Sequence, residues 1–187
     1  MLSILSLIRS QYTGSARALR RTQTLTTAGI LLAIQMVLSS YGVIEVSDSL
    51  KISLAHLALA PTAMLYGPVV AGIQGGLSDL LGFLIKPSGP YFPGFTLSAI
   101  LGGVIYGTML YKTQRRLWQI VAARLIIVVF VNILLNTVFL TMLYGPSRLA
   151  TLPLRAMKNF MQLPVDCMLL MSVCKMVQRV PAAASAR

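Results

Sequence analysis

Charge is scarce in this chain, and acidic charge scarcest of all: four Asp and Glu stand against sixteen Lys and Arg, and charged residues make up 11% of 187 positions. A soluble domain of that size needs a charged surface, and it could not carry the several uninterrupted apolar runs into which most of the 56% apolar residues fall. The shortage excludes a soluble fold and implies an integral membrane protein. A net charge of +12 would suggest nucleic acid in a soluble chain. Here the basic residues sit between the apolar runs, where they set topology and meet lipid headgroups, so the expected partner is the bilayer and no nucleic acid.

Histidine occurs once, as His56, without a neighbouring nucleophile or metal partner, and reads as a helix-packing residue. The two cysteines, Cys167 and Cys174, lie about two helical turns apart in a single apolar segment, too far for a disulfide and with no metal-binding spacing. They read as small core residues. No Gly-x-x-x-x-Gly-Lys-Ser/Thr phosphate loop is present, so ATP hydrolysis is not expected of this chain. No catalytic residue, metal or cofactor is assigned, and the chain is not expected to be an enzyme.

The opening MLSILSLIRSQ has no basic segment ahead of its short apolar stretch and no small-residue cleavage site. An amphipathic segment over 1–23 is expected to lie on the membrane, with Arg9, Arg17, Arg20 and Arg21 toward anionic headgroups. Six hydrophobic segments follow, over 24–41, 51–66, 68–86, 94–112, 118–143 and 151–178, joined by short loops of turn residues. They predict an all-α integral membrane protein: a bundle of six transmembrane helices within 24–179, followed by a tail over 180–187. The 51–66 segment is near the lower limit for a span and contains His56 and Pro61, so tilting, bending or partial crossing is expected there. Tyr66-Gly67-Pro68 joins it to the next helix as a tight hairpin.

With both termini cytoplasmic, the inner side holds Arg9, Arg17, Arg20, Arg21, Lys112, Arg115, Arg116, Lys175, Arg179 and Arg187, against Lys51, Lys86, Arg148, Arg155 and Lys158 outside. That imbalance favours termini inside. The outer five have two readings, as snorkelling helix-end residues or as attraction for an anionic solute. Small residues recur four apart: Gly29 and Ala33; Ala71 with Gly75 and Gly72 with Gly76; Gly94, Ser98 and Gly102; Gly103 with Gly107. Such pairs let helix backbones approach closely in lipid. Internal packing is expected for the third and fourth segments, whereas Gly29 and Ala33 lie on a terminal helix that could face another subunit.

Polar residues interrupt the apolar spans. At 100° per residue Arg155, Asn159, Gln162 and Asp166 share one arc of the last segment, giving a polar stripe from its outer end to its middle. Each unsatisfied polar group in hydrocarbon costs several kcal/mol, so the stripe must face polar helices or a ligand cavity, and a cavity opening outward is expected. Asn132 and Asn136, one helical turn apart in RLIIVVFVNILLNTVFL, supply facing carboxamides that suit the mixed edges of a heterocycle or serve as interhelical glue. Asp79, Arg124 and Asp166 are the deepest ionisable groups. Arg124 can pair with Asp166 and leave Asp79 for a ligand; the reverse pairing and a proton relay are alternatives. Between the third and fourth segments, KPSGPYFPGF carries stiffening prolines and the rings of Tyr91, Phe92 and Phe95, a composition suited to closing over a flat ring or to anchoring at the interface.

Three stretches, GGLSDLLGFLIKPSGPYFPGFTLSAILGGVIYG (75–107), RLIIVVFVNILLNTVFLTMLYG (124–145) and LPLRAMKNFMQLP (152–164), resemble the substrate-binding S components of energy-coupling factor (ECF) vitamin transporters, and among them the folate-specific members. The resemblance implies a six-helix protein of the bacterial plasma membrane that captures folate from outside, in a pocket covered by the loops after the first, third and fifth helices. It further implies partnership with a membrane T subunit and two cytoplasmic ATPase subunits, and tilting of the S component to deliver the vitamin inward. An Ala-x-x-x-Ala motif on the family's first helix contacts the T subunit; Gly29-Ile-Leu-Leu-Ala33 occupies that position here, keeping both side chains small. Folate needs aromatic walls, mixed amide partners and outer cations. The expected ligand residues are Tyr91, Phe92 and Phe95 for stacking, Asn132, Asn136, Asn159 and Gln162 for heterocycle edges, Arg155 and Lys158 for carboxylates, and Asp79 for the pterin amino and ring N–H donors. The alternatives are an S component for another flat vitamin and an autonomous proton-coupled transporter; the lack of an internal repeat counts against the latter.

Overall fold

The structure, a computed structural model, describes residues 2–41, 43–47, 50–87, 90–111, 117–145 and 152–179. Helix α1 (Leu2–Ala18) is followed by α2 (Thr22–Ser40), a hairpin of β1 (Val43–Ser47) and β2 (Leu50–Ser53), then α3 (His56–Tyr66), α4 (Pro68–Ile85) and α5 (Pro93–Leu110). A continuous rod then runs through α6 (Leu117–Ile126), a π-helical stretch (Ile127–Leu135) and α7 (Asn136–Tyr144), and α8 (Leu152–Arg179) is the last of the described helices. Lys112, Arg115, Arg116, Arg148, Arg187 and the 180–187 tail lie outside the described residues.

Among the described residues five helices are long and apolar enough to cross a membrane: α2, α4, α5, the α6–α7 rod and α8. The segment expected as a helix over 51–66 divides instead. Leu50, Lys51, Ile52 and Ser53 alternate apolar and polar with period two, which suits a strand, and they pair antiparallel with β1 through Val43↔Ser53 and Ile44↔Ile52. The remaining eleven residues of α3 rise about 16 Å, half of a hydrocarbon core. Shortness does not leave α3 peripheral. Ala60, Ala63, Leu59 and Met64 are buried in one core cluster with Tyr106, Leu110, Ile127 and Leu170, and the helix packs on α2, α4, α5 and α8.

Helices α4 and α5 approach most closely, and small residues make that possible. A Cβ on Gly103 would stand 2.2 Å from the Ala71 carbonyl oxygen, and on Gly75 2.4 Å from that of Ala99. Both contacts are with backbone, which cannot swing aside. Gly103→Ala is expected to cost roughly 1–3 kcal/mol through this overpacking, read as a lower unfolding temperature in detergent. Gly102→Ala, where a Cβ would meet nothing within 4 Å, is the matched control and is expected to be neutral or mildly stabilising.

Proline at the first position of α4 and of α5 starts each helix without losing an intrahelical hydrogen bond. The α3–α4 turn is closed from outside. Gly67 has φ +87°, and the Ser15 hydroxyl of α1 accepts from the backbone N–H of Val69 at 3.0 Å and of Val70 at 3.3 Å, capping α4 in place of a local side chain. Gln11 Nε2 donates to the Tyr111 carbonyl at 3.3 Å, so α1 also covers the end of α5. This seals one end of the bundle, where Arg9, Arg17, Arg20 and Arg21 are exposed. Gly29 and Ala33 are exposed on α2, with open space around Gly29.

Candidate ligand site

At the opposite end from α1 the bundle opens into a cavity of about 510 Å³, within the range that takes drug-sized ligands. Gln35 and Ser39 of α2, Ser78, Asp79, Gly82 and Phe83 of α4, Phe95 and Ala99 of α5, and Leu140, Leu143 and Tyr144 of α7 form its walls. Lys86, Pro90, Tyr91 and Phe92 of the α4–α5 connection form its rim. The turn chemistry of that connection explains the placement: Pro93 begins α5, so Phe92 and Phe95 leave the start of one helix on the same side. Their rings pack edge-on at 5.9 Å between centroids, and both lean on Phe139 of α7. Tyr91 turns the other way and rests on Phe83 at 5.2 Å.

Polar groups on the wall are held by one another. Asp79 Oδ2 accepts from the Thr96 hydroxyl at 2.7 Å, and that hydroxyl lies 2.9 Å from the Tyr91 hydroxyl. Gln35 Nε2 donates to Ser78 Oγ at 2.9 Å while its Oε1 accepts from Gln74 at 2.9 Å, tying α2 to α4 behind the cavity. The wall therefore presents a carboxylate, amides and hydroxyls among flat rings, a set able to bind a planar heteroaromatic compound with N–H donors on its edge.

A second polar assembly crosses the bundle beneath. Arg124 and Asp166 are both buried and form an ion pair through Arg124 Nη2, with Arg124 Nε donating to Asp166 Oδ2 at 3.0 Å. Arg124 Nη1 donates to the Tyr106 hydroxyl at 3.4 Å, Gln162 Nε2 donates to Asp166 Oδ1 at 3.2 Å, and His56 Nε2 lies 3.4 Å from that same oxygen. Of the pairings left open by the sequence, the structure contains Arg124 with Asp166. His56, expected to pack between helices, faces the buried carboxylate.

Asn132, Asn136, Arg155, Lys158, Asn159 and Gln162 do not line the 510 Å³ cavity. Asn132 Nδ2 donates to Asn159 Oδ1 at 3.4 Å, Asn159 Nδ2 donates to the Arg155 carbonyl at 2.9 Å, and Asn136 Oδ1 accepts from Ser98 at 2.8 Å. The polar stripe of α8 thus meets the rod rather than this cavity. The two asparagines expected on one face diverge, toward α8 and α5 respectively. Two residues on one face of the rod can meet different neighbours because α5 and α8 both pack against it.

Residues 23–178 match the family described as ECF transporter, substrate-specific component. The chain belongs to that family. Similar curated proteins include the Folate transporter FolT of Clostridium novyi, 32% identical over 86% of this chain and 93% of the relative. The Folate transporter FolT of Leuconostoc mesenteroides is 29% identical over 78% of this chain and 80% of the relative. Among solved structures, the crystal structure of FolT bound with folic acid matches with a TM-score of 0.74 and 31% identity, over 86% of this chain and 95% of that one.

As an ECF substrate-specific component the chain is a membrane transport subunit and not an enzyme. Of the ligand residues expected from its sequence, the fold gathers Asp79, Tyr91, Phe92 and Phe95 at the cavity and puts the other six elsewhere. Reading the sequence missed Gln35, Ser78 and Thr96. Gln35 had a signal: it is a lone carboxamide inside the apolar run ILLAIQMVL. Ser78 and Thr96 had none, because single hydroxyls in a membrane helix can bond back to their own backbone.

Proposed function

We propose that this S component captures folate with high affinity from outside the cell and delivers it inward together with an ECF module, whose two ATPase subunits supply the energy through a membrane T subunit. The observation that carries the reading is the Asp79 carboxylate set in an open, aromatic-walled cavity. The names of the similar proteins and their shared fold support it. Pterin presents an amino group and a ring N–H side by side, a donor pair matched to one carboxylate, and its flat ring suits Tyr91, Phe92 and Phe95. Arg155, Lys158 and Lys86, all expected on the outer side, are suited to the glutamate carboxylates.

On this reading the chain crosses the membrane six times, with short α3 as the inner crossing, both termini are cytoplasmic, and the cavity opens outward. The exposed arginines at the α1 end, opposite the cavity, agree with that orientation. Exposed Gly29 and Ala33 on α2 form the close-packing surface for the T subunit. Pairing of Asp166 with Arg124 weighs against the proton-coupled alternative, because it commits one of that relay's carboxylates to a buried cation.

Equilibrium binding by the purified protein in detergent tests the ligand. Folate is expected to bind in the nanomolar range, with thiamine and riboflavin at least about a thousandfold weaker, a difference of roughly 4 kcal/mol. Comparable binding of all three would refute the assignment. Uptake into vesicles is then expected only when the ECF module and ATP are both present; gradient-driven uptake by the chain alone would restore the rival mechanism.

A further inference from the structure

Asp79 and Tyr91 of the cavity lining are joined through the Thr96 hydroxyl into a directed chain. A carboxylate only accepts, so at 2.7 Å the Thr96 hydroxyl must give its single proton to Asp79 Oδ2. Its oxygen is then left as the acceptor for the Tyr91 hydroxyl, 2.9 Å away. The order is Tyr91 to Thr96 to Asp79. Asp79 Oδ1 has no partner among the described residues.

Each member is held by something independent of the chain itself. The Tyr91 ring packs on Phe83. Thr96 sits in the first turn of α5, begun by Pro93. Asp79 rides on α4 one turn beyond Gly75, whose close contact with Ala99 sets the spacing of the two helices. The distance between Thr96 and Asp79 is therefore set by backbone packing and not by side-chain choice.

We propose that Thr96 and the Tyr91 hydroxyl are positioning residues: they hold the Asp79 carboxylate in one rotamer, with Oδ1 free for a ligand N–H, and so set selectivity for the 2-amino group of a pterin. This rests on the folate reading above. Tyr91 then has two separable functions, a ring at the rim and a hydroxyl in the relay. Because Tyr91 lies on the cavity rim, its hydroxyl ties the rim to the orientation of the carboxylate.

The test measures affinity for folate and for an analogue with methyl in place of the 2-amino group, in wild type, Thr96→Val, Thr96→Ser and Tyr91→Phe, each first shown to unfold at the wild-type temperature. Thr96→Val is isosteric and lacks the proton. It is expected to lose about tenfold in folate affinity, with little change for the analogue, so that the preference between the two ligands collapses; Thr96→Ser keeps the preference. Tyr91→Phe, which keeps the ring, is expected to lose part of it. Unchanged folate affinity in Thr96→Val, or an equal loss for both ligands, overturns the proposal, and an unchanged preference in Tyr91→Phe removes Tyr91 from it. A folded wild type that binds neither ligand overturns the folate reading and this inference together, an outcome distinct from wild-type binding with an indifferent Thr96→Val.

Discussion

Asp79→Asn is expected to weaken folate binding roughly a hundredfold or more while leaving the unfolding temperature in detergent nearly unchanged. Hydrogen bonds to a charged group contribute about 1.5–3 kcal/mol each, and tenfold in affinity corresponds to about 1.4 kcal/mol. A pterin held by two such bonds therefore loses at least two decades when the carboxylate goes. The amide does more than remove charge, because its NH₂ sets a donor against the ligand's donors. Stability is spared because Asp79 is only partly buried at a cavity wall and bonds to Thr96 alone among the described residues. Calorimetric titration paired with a thermal scan separates the two effects. A change below about threefold, with wild-type binding intact, would remove Asp79 from the site; a collapse in stability would make it a structural residue.

Arg124→Met is expected to have the largest effect on stability, a loss of about 3–5 kcal/mol, because it strands a fully buried carboxylate. Asp166 would keep only Gln162 and His56 as neighbours, in a protein itself surrounded by hydrocarbon. The double variant Arg124→Met with Asp166→Leu is expected to recover most of that loss, since removing both charges removes their desolvation cost as well. The comparison is a double-mutant cycle on unfolding temperature in one detergent. Independent, additive losses would show that the two groups do not work as a pair. The network reaches α3 through His56, α5 through Tyr106, α6 through Arg124 and α8 through Gln162 and Asp166. It is a brace across the bundle rather than a ligand wall, and folate affinity of the folded double variant is expected to stay near the wild-type value.

These two carboxylates show how far one chain of letters can be read. Both are Asp in apolar runs, both sit near mid-membrane by residue count, and the cations within reach do not distinguish them. Arg124 pairs with Asp166 because α6 and α8 pack directly against each other and bring the two buried groups together. Asp79 is left at an open wall because the Gly75 contact draws α4 against α5, bringing Thr96 beside it. Similarly, Asn132 and Asn136 share a face by their spacing, and only the packing of neighbouring helices gives one Asn159 of α8 and the other Ser98 of α5 as partner.

Composition and short-range order were enough for a membrane location from the scarcity of charge, the five long spans from their apolar runs, the helix start at Pro68, and the glycine seam of α4 and α5. Family membership was legible too, because long phrases such as KPSGPYFPGF keep residues that are adjacent in the chain. The tertiary structure alone decided which polar groups meet, that 50–53 joins a hairpin instead of a helix, and that the stripe of α8 faces the rod. Those outcomes depend on the rotation and spacing of whole helices, set by the sum of many packing contacts, and no local window of residues contains that sum.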